Sequence, residues 1–176
     1  MKTSNANEFF AANTSSISFK SLSPDDLHSL LPPFYLGLNF DARRVRFGCA
    51  VSDDSIIRHC CGLDLTRGEV LGCVGSTGLI AAIELHPLSP TWEDAELALA
   101  ETAISDKIMI LGHLLQLAAF AAGKRGCNAL VVQLEPSERD LLRLLRGMGR
   151  VRVQGESVRV DIAEYARMRS LSIAMV

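Results

Sequence analysis

Short runs of alternating apolar and polar residues mark the predicted strands of this chain, and the first run lies near its N-terminus. Ile17 to Leu22 alternates with a period of two, which is typical of a half-buried strand. Ser23-Pro24-Asp25-Asp26 then supplies a capping residue, a proline at the first helical position and two acids in the first turn. We predict a helix from Pro24 to about Leu31, ended by Pro32-Pro33, and a short helical stretch around Phe34 to Leu38.

The middle of the chain changes from a helical pattern to a strand pattern at Glu69. Ser52-Asp53-Asp54 predicts the start of a helix that continues to about Cys61. Three apolar runs follow, separated by Gly75-Ser76-Thr77-Gly78 and by residues 87–94: Glu69 to Val74, Leu79 to His86 and Ala95 to Glu101. The short runs and the turn residues between them predict three successive antiparallel strands.

The last third of the chain alternates helical and strand patterns. Lys107 to Lys124 is strongly helical in composition, and Gly126 is a natural C-terminal stop. A strand is predicted over Ala129 to Leu134, and a helix then starts at Pro136-Ser137, where Ser137 and Asp140 have capping-box spacing. This helix has a leucine-rich apolar face (Leu141, Leu142, Leu144, Leu145, Met148) and is predicted to end at Gly147 and Gly149. Arg150 to Gln154 and Val158 to Ile162 then predict a hairpin around Gly155.

The predicted order is strand, two or three helices, three strands, helix, strand, helix and two strands. No internal repeat or linker divides this order, which favours a single α+β domain over residues 17–162. Residues 1–16 and 163–176 are predicted to be tails, the first of them flexible because it is polar and rich in Asn, Ser and Ala.

Composition and charge narrow the classes of function. The chain has 176 residues, 48% of them hydrophobic and 22% charged, which is enough apolar material for one packed core. Its net charge of −2 excludes nucleic-acid or membrane binding by bulk attraction, so neither partner is expected. The chain starts without a secretory pattern, its longest apolar run (residues 108–122) is too short to span a bilayer, and its five cysteines have no disulfide spacing. We expect a cytoplasmic protein with reduced thiols.

Several segments together resemble the GNAT acetyltransferase superfamily. Ile17 to Asp26 is similar to the family's opening strand and its Ser/Thr-Pro-Asp-Asp helix start, and Arg43 to Phe47 to an Arg-rich stretch common in bacterial members. Later segments resemble the fourth strand, the cofactor helix, the fifth strand and the helix after it: Ala95 to Ala100, Leu114 to Gly126, Ala129 to Glu135 and Ser137 to Gly149. The resemblance implies a mostly antiparallel mixed sheet flanked by helices, and transfer of an acetyl group from acetyl-CoA to an amine.

The resemblance also implies a binding site for acetyl-CoA. In the family, a Gln/Arg-x-x-Gly-x-Gly/Ala loop after the fourth strand presents backbone N–H groups to the pyrophosphate. The six matching positions are Asp106 to Leu111, so Met109 and Leu111 replace the two small residues and Lys107 supplies one positive charge. The implied contacts are Leu99, Ala100 and Glu101 (backbone donors to the thioester oxygen), Lys107, Ile108, Met109, Ile110, Leu111 and Gly112 (pyrophosphate), and Glu138 (in place of the family's Asn).

Two acids on the fourth strand are the candidate catalytic bases. Attack of an amine on a thioester needs a group that accepts the amine proton, and Glu96 and Glu101 are placed to do so, directly or through water. The family's tyrosine acid is matched by Leu144, which leaves Tyr165 and Ser137 as substitutes. The alternative, favoured by the missing glycines, is a non-catalytic GNAT-fold module that has lost acetyl-CoA binding and serves a binding or regulatory role.

Two further features have structural interpretations. His59-Cys60-Cys61 is not predicted to bind a metal, because adjacent ligands do not easily share one tetrahedral site. The helix Lys107 to Lys124 carries no charge between its ends, so its outer surface must be covered by another part of the protein or by a partner. The N-terminal helices, a second subunit or the tail after Ala163 could cover that surface, and we expect a homodimer.

Overall fold

A computed structural model describes residues 17–102, 106–134 and 138–165. They form a seven-stranded sheet with helices on both faces. The strands are β1 (Ser18–Ser21), β2 (Glu69–Gly75), β3 (Gly78–Pro87), β4 (Asp94–Glu101), β5 (Ala129–Gln133), β6 (Arg150–Gln154) and β7 (Ser157–Asp161). The helices are α1 (Pro24–Ser29), α2 (Leu31–Gly37), α3 (Phe40–Phe47), α4 (Asp53–Gly62), α5 (Lys107–Lys124) and α6 (Arg139–Arg146).

The strands lie in the order β1-β2-β3-β4-β5-β7-β6, and every neighbouring pair is antiparallel except β4 and β5. The three successive antiparallel strands predicted from Glu69 onward are confirmed as β2, β3 and β4. β4 and β5 run parallel, and their ladder covers only Asp94–Leu97 against Ala129–Val132. The second half of β4 therefore has a partner on the β3 side alone.

Each face of the sheet has its own apolar core. On one face, α5 and α6 pack over residues such as Ala81, Ile83 and Leu97. On the other, α1, α2 and α4 cover Val70, Ala82 and Ala100. The N-terminal helices thus lie on the face opposite α5, so the suggestion that they cover α5 is wrong. No helix in the described ranges is long and apolar enough to cross a membrane.

Two predicted helix starts, those of α1 and α4, are confirmed at their caps. Ser23 and Asp26 form a reciprocal capping box at α1, and the Ser52 hydroxyl accepts the N–H of Ser55 at α4. The prediction that Pro32-Pro33 ends the first helix is wrong. The break is at Leu30, and the two prolines occupy the first turn of α2, where a missing N–H costs little.

Two other details of the predicted order need correction. The segment around Arg43 to Phe47 forms a complete helix, α3, capped by the Asn39 side chain, so four helices rather than two or three lie between β1 and β2. Sequence periodicity missed α3 because none of its residues is buried. α6 begins at Arg139 with Glu138 at its N-cap, and the predicted capping residue Ser137 lies outside the described residues.

Candidate functional site

The free edge of β4 defines the candidate site. The N–H of Thr102 donates to the Ile80 carbonyl, and the N–H of Leu88 donates to the Asp94 carbonyl. The even-numbered residues between 94 and 102 therefore turn their backbone groups toward β3. Backbone direction alternates along a strand, so Leu99 and Glu101 turn theirs toward β5. The β4–β5 ladder ends at Leu97 and Val132. The backbone groups of Leu99 and Glu101 therefore face the space where the two strands diverge.

A cleft of about 640 Å³ fills this space. One wall is the second half of β4, and the opposite side is formed by Val132, Gln133, Glu138 and Leu141 of the β5–α6 region. Helices α3 and α4 complete it from the face opposite α5, with Asn39, Asp41, Ala42, Val45, Arg46, Phe47, Gly48 and His59. The residues Leu99, Ala100, Glu101, Lys107 and Glu138 all line this one cleft. The backbone N–H of Ala100, however, turns toward β3, so it is not the donor to the thioester oxygen that the resemblance implies.

The start of α5 meets the cleft at Lys107, and there the helix offers fewer contacts than the sequence implied. Lys107 pairs with Glu101 Oε1, so its ammonium is already neutralised by a carboxylate of the same site. From Ile110 onward the N–H groups bond within the helix, starting with the bond from Ile110 to the Asp106 carbonyl. The N–H groups of Ile110, Leu111 and Gly112 are therefore not available for the phosphate contacts that the resemblance implies, because only the first turn of a helix has N–H groups to offer a ligand.

The side chains at the start of α5 point in different directions. Ile110 and Leu111 are buried in the core, with 2% and 1% of their surface exposed. Ile108 and Gly112 line a separate cavity between α5 and α6, together with Tyr165. Met109, at the position of a family glycine, is 45% exposed. Lys107 is thus the residue of the predicted loop whose side chain lines the cleft, and the backbone of the first turn remains open to a ligand.

The two predicted bases lie on opposite faces of the sheet. Glu101 is opposite Ala81 on the α5 face, and its Oε2 is buried without a hydrogen-bond partner in the described part of the chain. Glu96 is opposite His86, on the face covered by the N-terminal helices. Both side chains reach the cleft because it passes between the diverging strands. The cleft consequently has a Lys107–Glu101 side and a Glu96 side.

A buried charged cluster adjoins the Glu96 side. Glu84 of β3 is fully buried, and no other charged residue in the described ranges is. Its Oε1 accepts from Arg46 Nη2 at 2.5 Å, from His59 Nε2 at 2.9 Å and from the Tyr35 hydroxyl. Its Oε2 accepts from His59 Nε2 at 3.0 Å and from His86 Nε2 at 2.9 Å. Three helices are thereby tied to one carboxylate of the sheet.

The protonation of this cluster follows from its contacts. Burial by itself raises the pKa of Glu84, but hydrogen bonds from His59 and His86 and the charge of Arg46 hold that pKa well below its usual range. Burial, with the Glu84 charge, raises the pKa of Tyr35 well above its usual value. Glu84 is therefore ionised and Tyr35 is a proton donor within the cluster.

Nothing in the sequence predicts that Glu84, Arg46 and Tyr35 form a cluster, and His59 stands out there only through the metal interpretation of His59-Cys60-Cys61. They come together from α2, α3, α4 and β3, up to 49 positions apart, so no local spacing reveals them. His59 binds Glu84, whereas Cys60 is buried and Cys61 is exposed, so the three consecutive side chains point to different surroundings. The one available signal was a carboxylate inside the apolar run of β3.

Comparison with solved structures identifies the fold. The GNAT domain of S. lividans PAT matches with a TM-score of 0.65 at 17% identity, over 81% of this chain and 87% of that one. yncA from Salmonella typhimurium, solved with its cofactor acetyl-CoA, matches with a TM-score of 0.62 at 13% identity, over 84% and 95%. A spermidine N-acetyltransferase SpeG chimera from Vibrio cholerae and hSSAT has a TM-score of 0.59 at 11% identity, over 86% and 98%.

No protein-family profile and no curated protein sequence matches the chain. The sheet order, the divergence of β4 from β5 and these structural matches establish the GNAT acyl-CoA N-acyltransferase fold. The fold inferred from the sequence resemblance is thereby confirmed.

Proposed function

We propose that the protein transfers an acetyl group from acetyl-CoA to an amine in the cleft between β4 and β5. The observation that carries this proposal is the free backbone edge at Leu99 and Glu101, which faces a cleft that also reaches the first turn of α5. N–H groups on a strand edge can bind the thioester oxygen as negative charge develops on it. A helix N-terminus favours a phosphate group.

The residues present fit acetyl-CoA in two respects. The first turn of α5 has no side-chain cap, since Asp106 makes no capping hydrogen bond, so a phosphate can approach its N–H groups. Glu101 Oε2 is shielded from water without a partner in the described part of the chain, and an amide N–H of the pantetheine arm can supply the missing donor. Acetyl-CoA therefore enters from the α5 side.

The amine then enters from the opposite face, between α3, α4 and β4. Glu96 lies on that side, and Asp41 of α3 lines the same cleft. Among the described residues, neither has an ion pair. Two uncompensated carboxylates attract a cationic amine, so we propose that Glu96 binds the acceptor and that Glu101 serves the acetyl-CoA side.

The second candidate is a non-catalytic binding module. The Lys107–Glu101 ion pair favours it, because the predicted phosphate-binding cation is neutralised in place. Calorimetric titration with acetyl-CoA at low salt separates the two. We expect measurable heat at or below millimolar ligand, and no heat at millimolar acetyl-CoA would contradict the enzymatic function.

The role of Glu96 predicts a specific kinetic change. Glu96→Gln should raise the KM for the amine about tenfold and leave kcat less affected, since the lost attraction acts on the bound amine and on the transition state alike. Asp41→Asn is the matched control with a smaller effect, because Asp41 is exposed and screened by water and salt. Steady-state thiol release at varied amine concentration measures both. A fall in kcat at unchanged KM would instead assign Glu96 to the chemical step.

A further inference from the structure

Two histidines contact the same buried carboxylate but face different cavities. His59 Nε2 lies 2.9 and 3.0 Å from the Glu84 oxygens, and His86 Nε2 lies 2.9 Å from one of them. His59 lines the main cleft together with Glu96 and Leu99. His86 lines a separate cavity of about 430 Å³ beside Asp64 and Arg67. The same hydrogen bond is therefore made once at the candidate site and once away from it.

The carboxylate fixes the tautomer of His59. An ionised carboxylate only accepts hydrogen bonds, so His59 Nε2 must carry a proton in order to bond to Glu84. In the neutral ring the basic lone pair is then on Nδ1. In the described part of the chain Nδ1 has no hydrogen-bond partner, whereas Nδ1 of His28 and of His113 is bonded to a carbonyl one turn earlier. Nδ1 is thus the ring nitrogen left for a molecule in the cleft.

The surroundings also fix the orientation of the ring. Phe47 packs edge-on at 5.4 Å and Tyr35 at 6.1 Å between ring centroids. Arg46 balances the charge of Glu84, and its Nη2 lies 3.3 Å from His59 Nε2, a contact between two donors that share one carboxylate. A fixed tautomer, a fixed ring and a carboxylate behind the ring are what an imidazole needs to act as a base.

We propose that His59 is the general base that takes the proton of the amine acceptor, with Glu84 as its positioning residue; this inference rests on the proposed function. His59 Nδ1 takes a proton from the bound ammonium group, and the nitrogen, now neutral, forms a bond to the thioester carbonyl carbon. The carbon–sulfur bond then breaks, and its electron pair leaves with sulfur as the CoA thiolate. That thiolate takes up the second proton that the nitrogen loses as the amide forms, and His59 releases its own proton to water, which restores the neutral ring.

The matched pair His59→Gln and His86→Gln tests this role. Glutamine keeps an N–H donor for Glu84 and lacks a basic ring nitrogen, so both variants perturb the cluster alike. We expect His59→Gln to lower kcat by about a hundredfold or more, with acetyl-CoA affinity by calorimetry unchanged, and His86→Gln to keep a rate close to that of the wild type. Equal rates in the two variants would overturn the role of His59, whether both fall or both are retained.

A second measurement does not depend on turnover. Nitrogen-15 NMR of the histidine-labelled protein reports which ring nitrogen carries the proton, and we expect neutral His59 to be the Nε2–H tautomer. The Nδ1–H tautomer would contradict the inference even in an active enzyme. Absence of thiol release by the wild-type protein would instead contradict the proposed function itself, whereas thiol release retained by His59→Gln contradicts the base role alone.

Discussion

The Lys107→Glu variant is expected to bind acetyl-CoA about a hundredfold more weakly than the wild-type protein. A unit charge ~5 Å from a phosphate at an effective dielectric constant of ~20 is worth ~3 kcal/mol. The substitution replaces a positive charge by a negative one, which doubles the change in the interaction energy with the phosphate. The Lys107 side chain is 47% exposed, however, so screening by water and salt removes part of that change. We therefore expect a loss of ~3 kcal/mol, about a hundredfold in Kd, measured by calorimetry at low salt.

Glu101→Gln is the control, because it breaks the same ion pair by removing the negative charge instead of the positive one. Removing the carboxylate frees Lys107 and takes a negative charge away from the phosphates, so acetyl-CoA binding should tighten, by about tenfold. If the ion pair serves only to hold β4 to α5, both variants weaken binding together. If Glu101 is the catalytic base, Glu101→Gln leaves affinity unchanged and abolishes turnover. Either result would contradict the proposed division of the cleft into two sides.

Glu84→Gln is expected to lower the free energy of unfolding by about 3–5 kcal/mol near neutral pH. The substitution leaves Arg46, whose side chain is 7% exposed, without its counter-ion. For a chain of this size the loss corresponds to a Tm lower by roughly 10 °C. Asp161→Asn is the control: Asp161 pairs with Arg152 and Arg159 at the surface, and such pairs contribute about 0–1 kcal/mol.

The pH dependence of that loss has a defined sign. A carboxyl whose pKa is lowered by folding contributes stability that is fully present above its usual value of 4.5 and is lost as pH falls through the lower folded value. The stability difference between the wild-type protein and Glu84→Gln should therefore shrink below about pH 4.5 and stay constant above it. Urea unfolding at a series of pH values measures the difference. A gap that widens in acid would mean that the Glu84 carboxyl is protonated in the folded protein.

Much of the sheet could be predicted from the sequence because its signals are local. The run Leu79 to His86 and the helix Lys107 to Lys124 are set by alternation, glycine stops and composition, and both lie where expected. The prediction for Pro32 and Pro33 is wrong because a proline pair can either end one helix or begin the next. The position of the break between α1 and α2 decides between the two, and it lies before the prolines. Helix α3 was not predicted because a helix without a buried face has no periodic pattern of apolar residues.

The candidate site was predicted only where the backbone defines it. Leu99, Glu101 and Lys107 are implied by the resemblance of their strand and helix to those of the GNAT family, and they do share one cleft. The ion pair of Lys107 with Glu101 and the ring of donors around Glu84 depend on which side chains meet after folding. No spacing in one sequence encodes those contacts, so the roles of His59 and Arg46 required the structure.

The most direct test of acetyl transfer is thiol release from acetyl-CoA in the presence of amines, combined with mass analysis of the amine. A panel of polyamines, aminoglycosides, free amino acids and lysine-containing peptides covers the classes that an acidic acceptor site can bind. We predict thiol release that requires both protein and amine, with a mass gain of one acetyl group on the amine and a lower rate in His59→Gln. Binding of acetyl-CoA without thiol release for any amine in the panel would contradict an enzymatic function and favour the binding module.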